Sequence, residues 1–202
     1  MKFNTRQLVT LAVFGALWGA VEISLGSVLN VLKVPLSGAI LTAIGLLVAM
    51  AARIFVPQRG STLFIGVIAM VLKLFSIGAI VIGPMIGILA AALIAEVTLS
   101  LFGRPARLAF IVAGGLGVLW TLIQPFFTGL LIFGRDIVDI WMGLLREGTQ
   151  LLGLEPEAAV WIVLALVTLR LLIGAVAGWL AWDAGRLLRA RLVGESGSYS
   201  EA

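Results

Sequence analysis

Long apolar runs constrain this chain more than any other feature of its sequence. Residues 68–97 read IAMVLKLFSIGAIVIGPMIGILAAALIAEV, and Lys73 and Glu96 are the only charged residues among them. A helix needs about 20 apolar residues to cross the hydrocarbon core of a bilayer. The sequence therefore predicts an all-α integral membrane protein, a compact bundle of six transmembrane helices. The predicted spans are approximately 7–28, 36–55, 61–78, 82–102, 107–133 and 158–185.

The composition indicates that little of the chain lies outside the bilayer. Of its 202 residues, 61% are hydrophobic and 12% are charged, whereas soluble domains are about half apolar and a quarter charged. We expect one transmembrane domain over 1–193 and a disordered, small and polar tail over 194–202. The chain has no Cys and no His, so thiolate and imidazole metal sites are excluded. We expect no metal and no cofactor.

The positions of Lys and Arg predict the orientation of the chain. Nine fall on one side of the six-span arrangement and three on the other, while Lys73 and Arg170 lie inside spans. This asymmetry predicts a multi-pass protein with both termini cytoplasmic, and it explains the net positive charge by topology, with no nucleic-acid partner. The N-terminal segment is similar to a signal peptide, but Glu22 and five further spans follow it, so we expect a retained first helix.

One segment between spans 5 and 6 has the pattern of an amphipathic helix. It reads RDIVDIWMGLLREGTQLLGLEP, with apolar residues at helical spacing and charged residues on the other face. Such a helix lies along a membrane surface. Two interpretations remain open, a plain interfacial spacer and a lid over a pocket.

Four charged residues lie inside the spans. Their predicted depths in the membrane group them into two pairs, each with one positive and one negative residue. At about 1.5 Å per residue, Glu22 and Lys73 share the outer half, whereas Glu96 and Arg170 share the inner half. An unpaired charge at the bilayer centre costs at least about 2.5–3.5 kcal/mol. We therefore predict a structural ion pair between Glu96 and Arg170. For Glu22 and Lys73, a structural pair and a ligand-binding role are equally supported.

The outer half of the membrane holds the residues that could line a polar pocket. Gln124 precedes Pro125 at membrane depth, where it could satisfy a helix kink or bind a ligand. Together with outer-loop and helix 1 residues it completes the predicted ligand-binding set. That set is Glu22, Lys73, Trp18, Asn30, Lys33, Gln124 and Trp141.

Small residues on the first span form a ridge. Ala12, Ala16 and Ala20 are spaced by four, with Gly15 and Gly19 beside them. The ridge points about 120° away from Glu22 around the helix. Small residues let membrane helices approach closely, so this ridge is a predicted docking surface. The small residues of spans 4 and 6 are predicted to pack within the bundle.

The six short spans, the alanine ridge and the stretches VPQRGSTLFIGVIAMVLKLF and GPMIGILAAALIAEV resemble one transporter family. They are similar to the S-components of energy-coupling-factor (ECF) vitamin transporters, nearest the thiamine-precursor-type branch. The resemblance covers spans 1 to 4 best. It implies a substrate-binding subunit whose ridge Ala12, Ala16 and Ala20 docks on a transmembrane T-component. It also implies an extracellular ligand site capped by SVLNVLKVPLSG.

Lys73 departs from that resemblance, since members of the branch carry an acidic residue there. The reversed sign argues against a thiamine-like cation and predicts an anionic or zwitterionic metabolite. The chain carries no GxxxxGK[ST] nucleotide-binding motif, so ATPase subunits and a T-component would be separate partners. The alternatives are a membrane scaffold whose buried charges are structural and, less favoured, a membrane-embedded enzyme using Glu22 or Glu96 as a general base. We expect no enzymatic activity.

Overall fold

The computed structural model describes residues 3–76, 82–103, 105–154 and 156–198, and all regular secondary structure in these ranges is helical. Side chains are described for all of these except 30, 156 and 192–198. The chain forms seven α-helices and one 3-10 turn within this part. The helices are α1 (Thr5–Val31), α2 (Ser37–Phe55), α3 (Ser61–Lys73), α4 (Ile82–Leu101), α5 (Arg107–Leu131), α6 (Ile137–Leu152) and α7 (Ala159–Ser198), and the turn is Pro156–Ala158.

Five of these helices are long and apolar enough to cross a membrane, namely α1, α2, α4, α5 and α7. The prediction of an all-α membrane protein is therefore confirmed in this coarser form. The predicted span over 61–78 differs, because α3 ends at Lys73 after 13 residues. At 1.5 Å per residue α3 is about 20 Å long, shorter than the roughly 30 Å of a hydrocarbon core.

The helices alternate in direction. Gly26 of α1 lies beside Leu41 of α2, and Gly185 of α7 lies beside Ala51 of α2. We call the end of the bundle where α1 begins the basal end, and the opposite end, where α2 begins, the distal end. Helices α1, α3 and α5 run towards the distal end, and α2, α4 and α7 run back.

Helix α2 is the centre of the bundle. It packs against α1, α3, α4, α5 and α7, and its apolar segment is the most buried of the five candidate spans. The side chains of Leu46 and Met50 are fully buried in the common core with Phe110 of α5. Because α2 is surrounded by other helices, its polar residues Thr42 and Arg53 are buried inside the bundle.

Helices α5 and α7 cross in direct backbone contact through glycine. Gly114 of α5 faces Gly174 and Gly178 of α7, and a methyl group at Gly174 would overlap the Gly114 carbonyl. The prediction that these small residues of the last span pack within the bundle is confirmed. Small residues allow this because they bring two backbones into direct contact.

The C-terminal helix passes the boundary predicted at residue 193. Helix α7 continues to Ser198, five residues into the segment 194–202 for which we predicted disorder. Residues 199–202 lie outside the described ranges. The predicted start of the tail therefore does not coincide with a helix end.

Candidate ligand-binding site

A cavity of about 550 Å³ opens at the distal end of the bundle. Its walls come from the segment that starts α2, from the distal half of α5, from α6 and from one residue of α7. The polar and charged side chains in these walls are Ser37, Thr121, Gln124, Thr128, Arg135, Asp139, Glu147 and Arg170. The volume is in the range of small-molecule sites.

Arg170 is the most deeply buried charge in this cavity, with 4% of its surface exposed. Its Nε donates to Thr121 Oγ1 at 3.3 Å, and its Nη2 donates to Glu147 Oε2 at 2.8 Å. Its Nη1 has no hydrogen-bond partner among the described residues. A buried guanidinium with one unsatisfied nitrogen is unusual, because burying an unpaired donor is costly.

Glu147 connects three parts of the chain around the cavity. While Oε2 pairs with Arg170 of α7, Oε1 accepts a hydrogen bond from the backbone nitrogen of Leu36 at 3.2 Å. Leu36 caps α2 in a left-handed conformation, with φ 58°. The α6 carboxylate thus fixes the start of α2 and the middle of α7 at one point.

A second, smaller cavity of about 170 Å³ lies deeper in the bundle. It contains Glu22 and Lys73, and it shares Ser37, Gly38 and Gln124 with the large cavity. The two cavities therefore meet at the start of α2 and at Gln124. Three of the seven predicted ligand-binding residues lie here.

The predicted pairing of Glu22 and Lys73 is confirmed. Lys73 Nζ lies 3.2 Å from Glu22 Oε2 and donates to the Glu22 carbonyl oxygen at 2.9 Å. Only 4% of Glu22 and 8% of Lys73 are exposed. Two acceptors of one residue thus hold the ammonium group, and the pair joins α1 to the distal end of α3.

Gln124 links α5 to the start of α4. Its Nε2 donates to the Gly83 carbonyl oxygen at 2.8 Å, and its Oε1 lies over Gly87. Helix α5 continues through Pro125, and the Thr128 hydroxyl donates to the Gln124 carbonyl oxygen at 3.0 Å. The side chain therefore reaches a neighbouring helix, and not its own backbone at the proline.

The predicted pair between Glu96 and Arg170 is not formed. Glu96 pairs with Arg53 of α2 at 3.1 Å, and Arg170 pairs with Glu147 of α6. The reason is depth. Glu96 lies five residues before the basal end of α4, whereas Arg170 lies eleven residues after the distal start of α7. The two charges sit at different levels of the bundle.

The Glu96 carboxylate is at the centre of a basal network. It accepts hydrogen bonds from the backbone nitrogens of Gly60 at 2.7 Å and Thr62 at 3.0 Å. Arg53 and the Ser100 hydroxyl complete its partners. An anion at a helix N-terminus satisfies free N–H groups there. Glu96 therefore caps α3 from α4.

Three predicted ligand-binding residues with described side chains do not line these cavities. Trp18 is fully buried against Gly45 of α2, because the missing side chain of that glycine leaves room for the indole. Lys33 is exposed on the connection to α2. Trp141 is 41% exposed on the outward face of α6. The side chain of Asn30 lies outside the described residues.

Sequence reasoning missed the cavity residues that α6 and α7 supply. Glu147 was assigned to a polar helix face, and Arg170 to a structural pair. A signal was present in the charged residues of the amphipathic segment, since Glu147 is a potential partner for a buried cation. Using it required the position of α6 against α7, where Gly148 packs on Ile162.

The alanine ridge lies on the outside of the bundle. Ala12, Ala16 and Ala20 are all exposed, while Gly15 and Gly19 face Ile68 and Leu72 of α3. Helix α1 therefore packs on α3 through its glycines, and its alanines stay accessible.

The chemistry available at the distal end is polar recognition by buried charges and amide groups. Among the described residues, no cluster of three His, Cys, Asp or Glu side chains could hold a metal ion.

Comparison with known proteins gives no relative: no family model, no curated protein and no solved structure matches this chain.

Proposed function

We propose that this protein is the substrate-binding membrane subunit of an ECF-type importer for a vitamin or related small metabolite. The observation that carries the proposal is the distal cavity of about 550 Å³, with the buried Arg170 in its wall and a polar inner cavity behind it. Concave sites with a few convergent polar groups are typical of small-molecule binding. Such a site inside an apolar helix bundle suits a protein that captures a solute at a membrane.

The proposal includes six membrane helices, with α3 as a short sixth one. Helix α3 runs beside α1 and α4, and its distal end carries the buried Lys73. A short helix is compatible with a membrane position because local bilayer thinning is inexpensive. In this arrangement α6 is the surface helix of the distal side.

Of the two roles open for α6, a lid over the cavity is the better supported. Asp139, Ile140 and Glu147 of α6 line the cavity, and Glu147 binds both Arg170 and the start of α2. A plain spacer needs none of these contacts. The connection 32–36, within the segment that the family resemblance makes a cap, forms part of the opposite wall through Val34, Pro35 and Leu36.

We further propose that the distal end faces outwards and that both termini are cytoplasmic in a prokaryotic plasma membrane. The excess of Lys and Arg at the basal end supports this orientation. The chain has no cysteine, so single cysteines are clean probes. In intact cells an impermeant thiol reagent should label Gln150→Cys and not Thr5→Cys, both of which replace exposed residues. Labelling of Thr5→Cys alone would reverse the orientation.

The absence of a nucleotide-binding motif and the exposed alanine ridge indicate which transport partners we propose. Without a nucleotide-binding motif, an importer of this kind depends on ATPase subunits and a T-component. The exposed ridge Ala12, Ala16 and Ala20 is the surface we propose for T-component docking, because small residues permit a close helix approach.

Ala16→Trp should weaken association with the T-component by about 1–3 kcal/mol, the usual cost of overpacking an interface. This corresponds to about five- to 150-fold in affinity. Co-purification of the complex from detergent measures it. Leu164→Trp is the matched control, since Leu164 is half-exposed on α7, away from the ridge. Both variants should keep the stabilisation that a small-molecule extract gives to the isolated protein. An intact complex with Ala16→Trp would exclude this docking surface.

The leading alternative is a membrane scaffold whose buried charges are structural. The Glu96 network supports such a role for the basal charges, since Glu96 joins α4 to Arg53 of α2 and caps α3. The distal cavity favours solute capture, because a purely structural role does not explain a buried arginine in the cavity wall with one unsatisfied nitrogen. A membrane-embedded enzyme is the weakest alternative, as Glu22 and Glu96 are both held by cationic partners.

A further inference from the structure

We propose that Arg170 anchors an anionic oxygen, from a carboxylate or a phosphate, of the molecule that binds in the distal cavity. This inference rests on the proposed function and specifies the substrate class. Three observations support it: Arg170 lines the cavity, it is 96% buried as the complement of its 4% exposure, and its Nη1 lacks a partner in the described part of the chain.

The hydrogen-bond inventory of the guanidinium leaves one nitrogen for a ligand. An arginine has five N–H donors and no acceptor. Its Nε is used by Thr121 and its Nη2 by Glu147, which also fixes the plane of the group. Both hydrogens of Nη1 therefore lack an acceptor among the described residues, on a side chain that two other hydrogen bonds hold in place. Such preorganisation favours binding, because little side-chain entropy is lost when a ligand arrives.

The other charged groups of the site make an anion the better match. Glu147 already has two donors, Arg170 and the Leu36 nitrogen, and so has little left for a ligand cation. Arg135 and Asp139 are both exposed lining residues of opposite charge, so together they favour neither an anion nor a cation. In the inner cavity Lys73 is held twice by Glu22. Arg170 is thus the buried cation that still needs an acceptor.

A fractionated extract tests the inference even while the metabolite is unidentified. A lipid-free extract of molecules below about 1 kDa is divided by anion exchange into an anionic fraction and an unretained fraction. The purified full chain should unfold about 3 °C or more higher with the anionic fraction and at an unchanged temperature with the other. Stabilisation only by the unretained fraction would overturn the anion assignment while leaving solute capture intact. No stabilisation by either fraction, together with none by lipid vesicles, would count against both.

Single-residue variants test whether stabilisation by the anionic fraction depends on Arg170. Arg170→Gln should weaken binding of the active anionic fraction at least about tenfold, as expected for a lost hydrogen bond between charged groups. Glu147→Gln should lose less affinity than Arg170→Gln, because the amide oxygen can still accept from Arg170 and the guanidinium charge is kept. Arg107→Gln, whose arginine is half-exposed at the basal end, is the matched control and should bind normally.

A double variant separates binding from folding. Arg170→Gln with Glu147→Gln removes both charges of the pair, so the fold should recover where the single arginine variant is unstable, while binding stays lost. Full binding by the double variant would overturn the proposal. Phosphatase treatment of the anionic fraction distinguishes its two chemistries, since only a phosphate-dependent effect disappears. Stabilisation by phosphatidylglycerol vesicles alone, with no effect of the lipid-free fraction, would assign the site to a lipid headgroup and overturn the metabolite inference.

Discussion

Glu96→Ala should lower the free energy of unfolding by about 3–5 kcal/mol, the range for breaking a buried ion pair by removing one partner. The variant leaves the Arg53 guanidinium, 7% exposed, without its carboxylate. It also strands the backbone nitrogens of Gly60 and Thr62, which Glu96 accepts from. Loss of this cap should loosen the start of α3 as well as its contact with α4.

Thermal unfolding of the purified protein in detergent measures the effect, and Asp183→Ala provides the comparison. Asp183 pairs with Arg107 in the same basal region, but the two side chains are 35% and 51% exposed. Exposed pairs contribute about 0–1 kcal/mol. Glu96→Gln should fall between the two, since the amide oxygen still accepts one backbone hydrogen bond. Equal losses for Glu96→Ala and Asp183→Ala would show that the basal network does not hold α3.

The long helices and one ion pair could be predicted from the sequence because both depend on distance along a helix. Apolar length identified five helices that the structure also gives as candidate spans. Residue counting placed Glu22 and Lys73 at the same depth, and the structure joins them. Their helices are parallel neighbours that contact directly through Gly15 and Gly19, so the depths of both are measured from the same end.

Counting residues along a helix did not predict the partner of Glu96, because the count did not consider where the neighbouring helices end. Arg53 lies two residues inside the end of α2 and is buried, at the level where the basal end of α4 passes. The chain then turns so that the N-terminus of α3 faces α4. A carboxylate near that turn meets a cation and two free N–H groups at once. Helix periodicity carries no information about such a turn.

The distal cavity was only partly predictable because α6 forms one of its walls. The sequence indicated an amphipathic helix and left its role open, and the orientation of its charged face depends on packing against α5 and α7. Gly129 accommodates Ile140, and Gly148 accommodates Ile162. These contacts turn Glu147 towards Arg170 and leave Trp141 outside. Tertiary packing of this kind decides which polar residue becomes part of a site.

Lys73→Met should lower the free energy of unfolding by about 3–5 kcal/mol, because it leaves Glu22 buried and ionised without a partner. Both hydrogen bonds of Lys73 go to Glu22, so the loss falls on that one residue. Lys73→Met with Glu22→Gln should regain most of the stability, since no buried charge remains. Thermal unfolding of the two variants in the same detergent compares them, with wild type as the reference.

Ligand binding by the double variant then decides what the inner pair does. If Arg170 holds the anionic group, the anionic extract fraction should stabilise the Lys73→Met, Glu22→Gln protein nearly as well as wild type, within a few-fold in affinity. Lys73 would then serve to neutralise Glu22, and the inner cavity would accommodate an uncharged part of the molecule. If stability returns while binding falls by about 1.5–3 kcal/mol, the size of a hydrogen bond to a charged group, Lys73 contacts the ligand directly. In that case the anion extends past Gln124, through the residues that the two cavities share, and reaches the inner cavity.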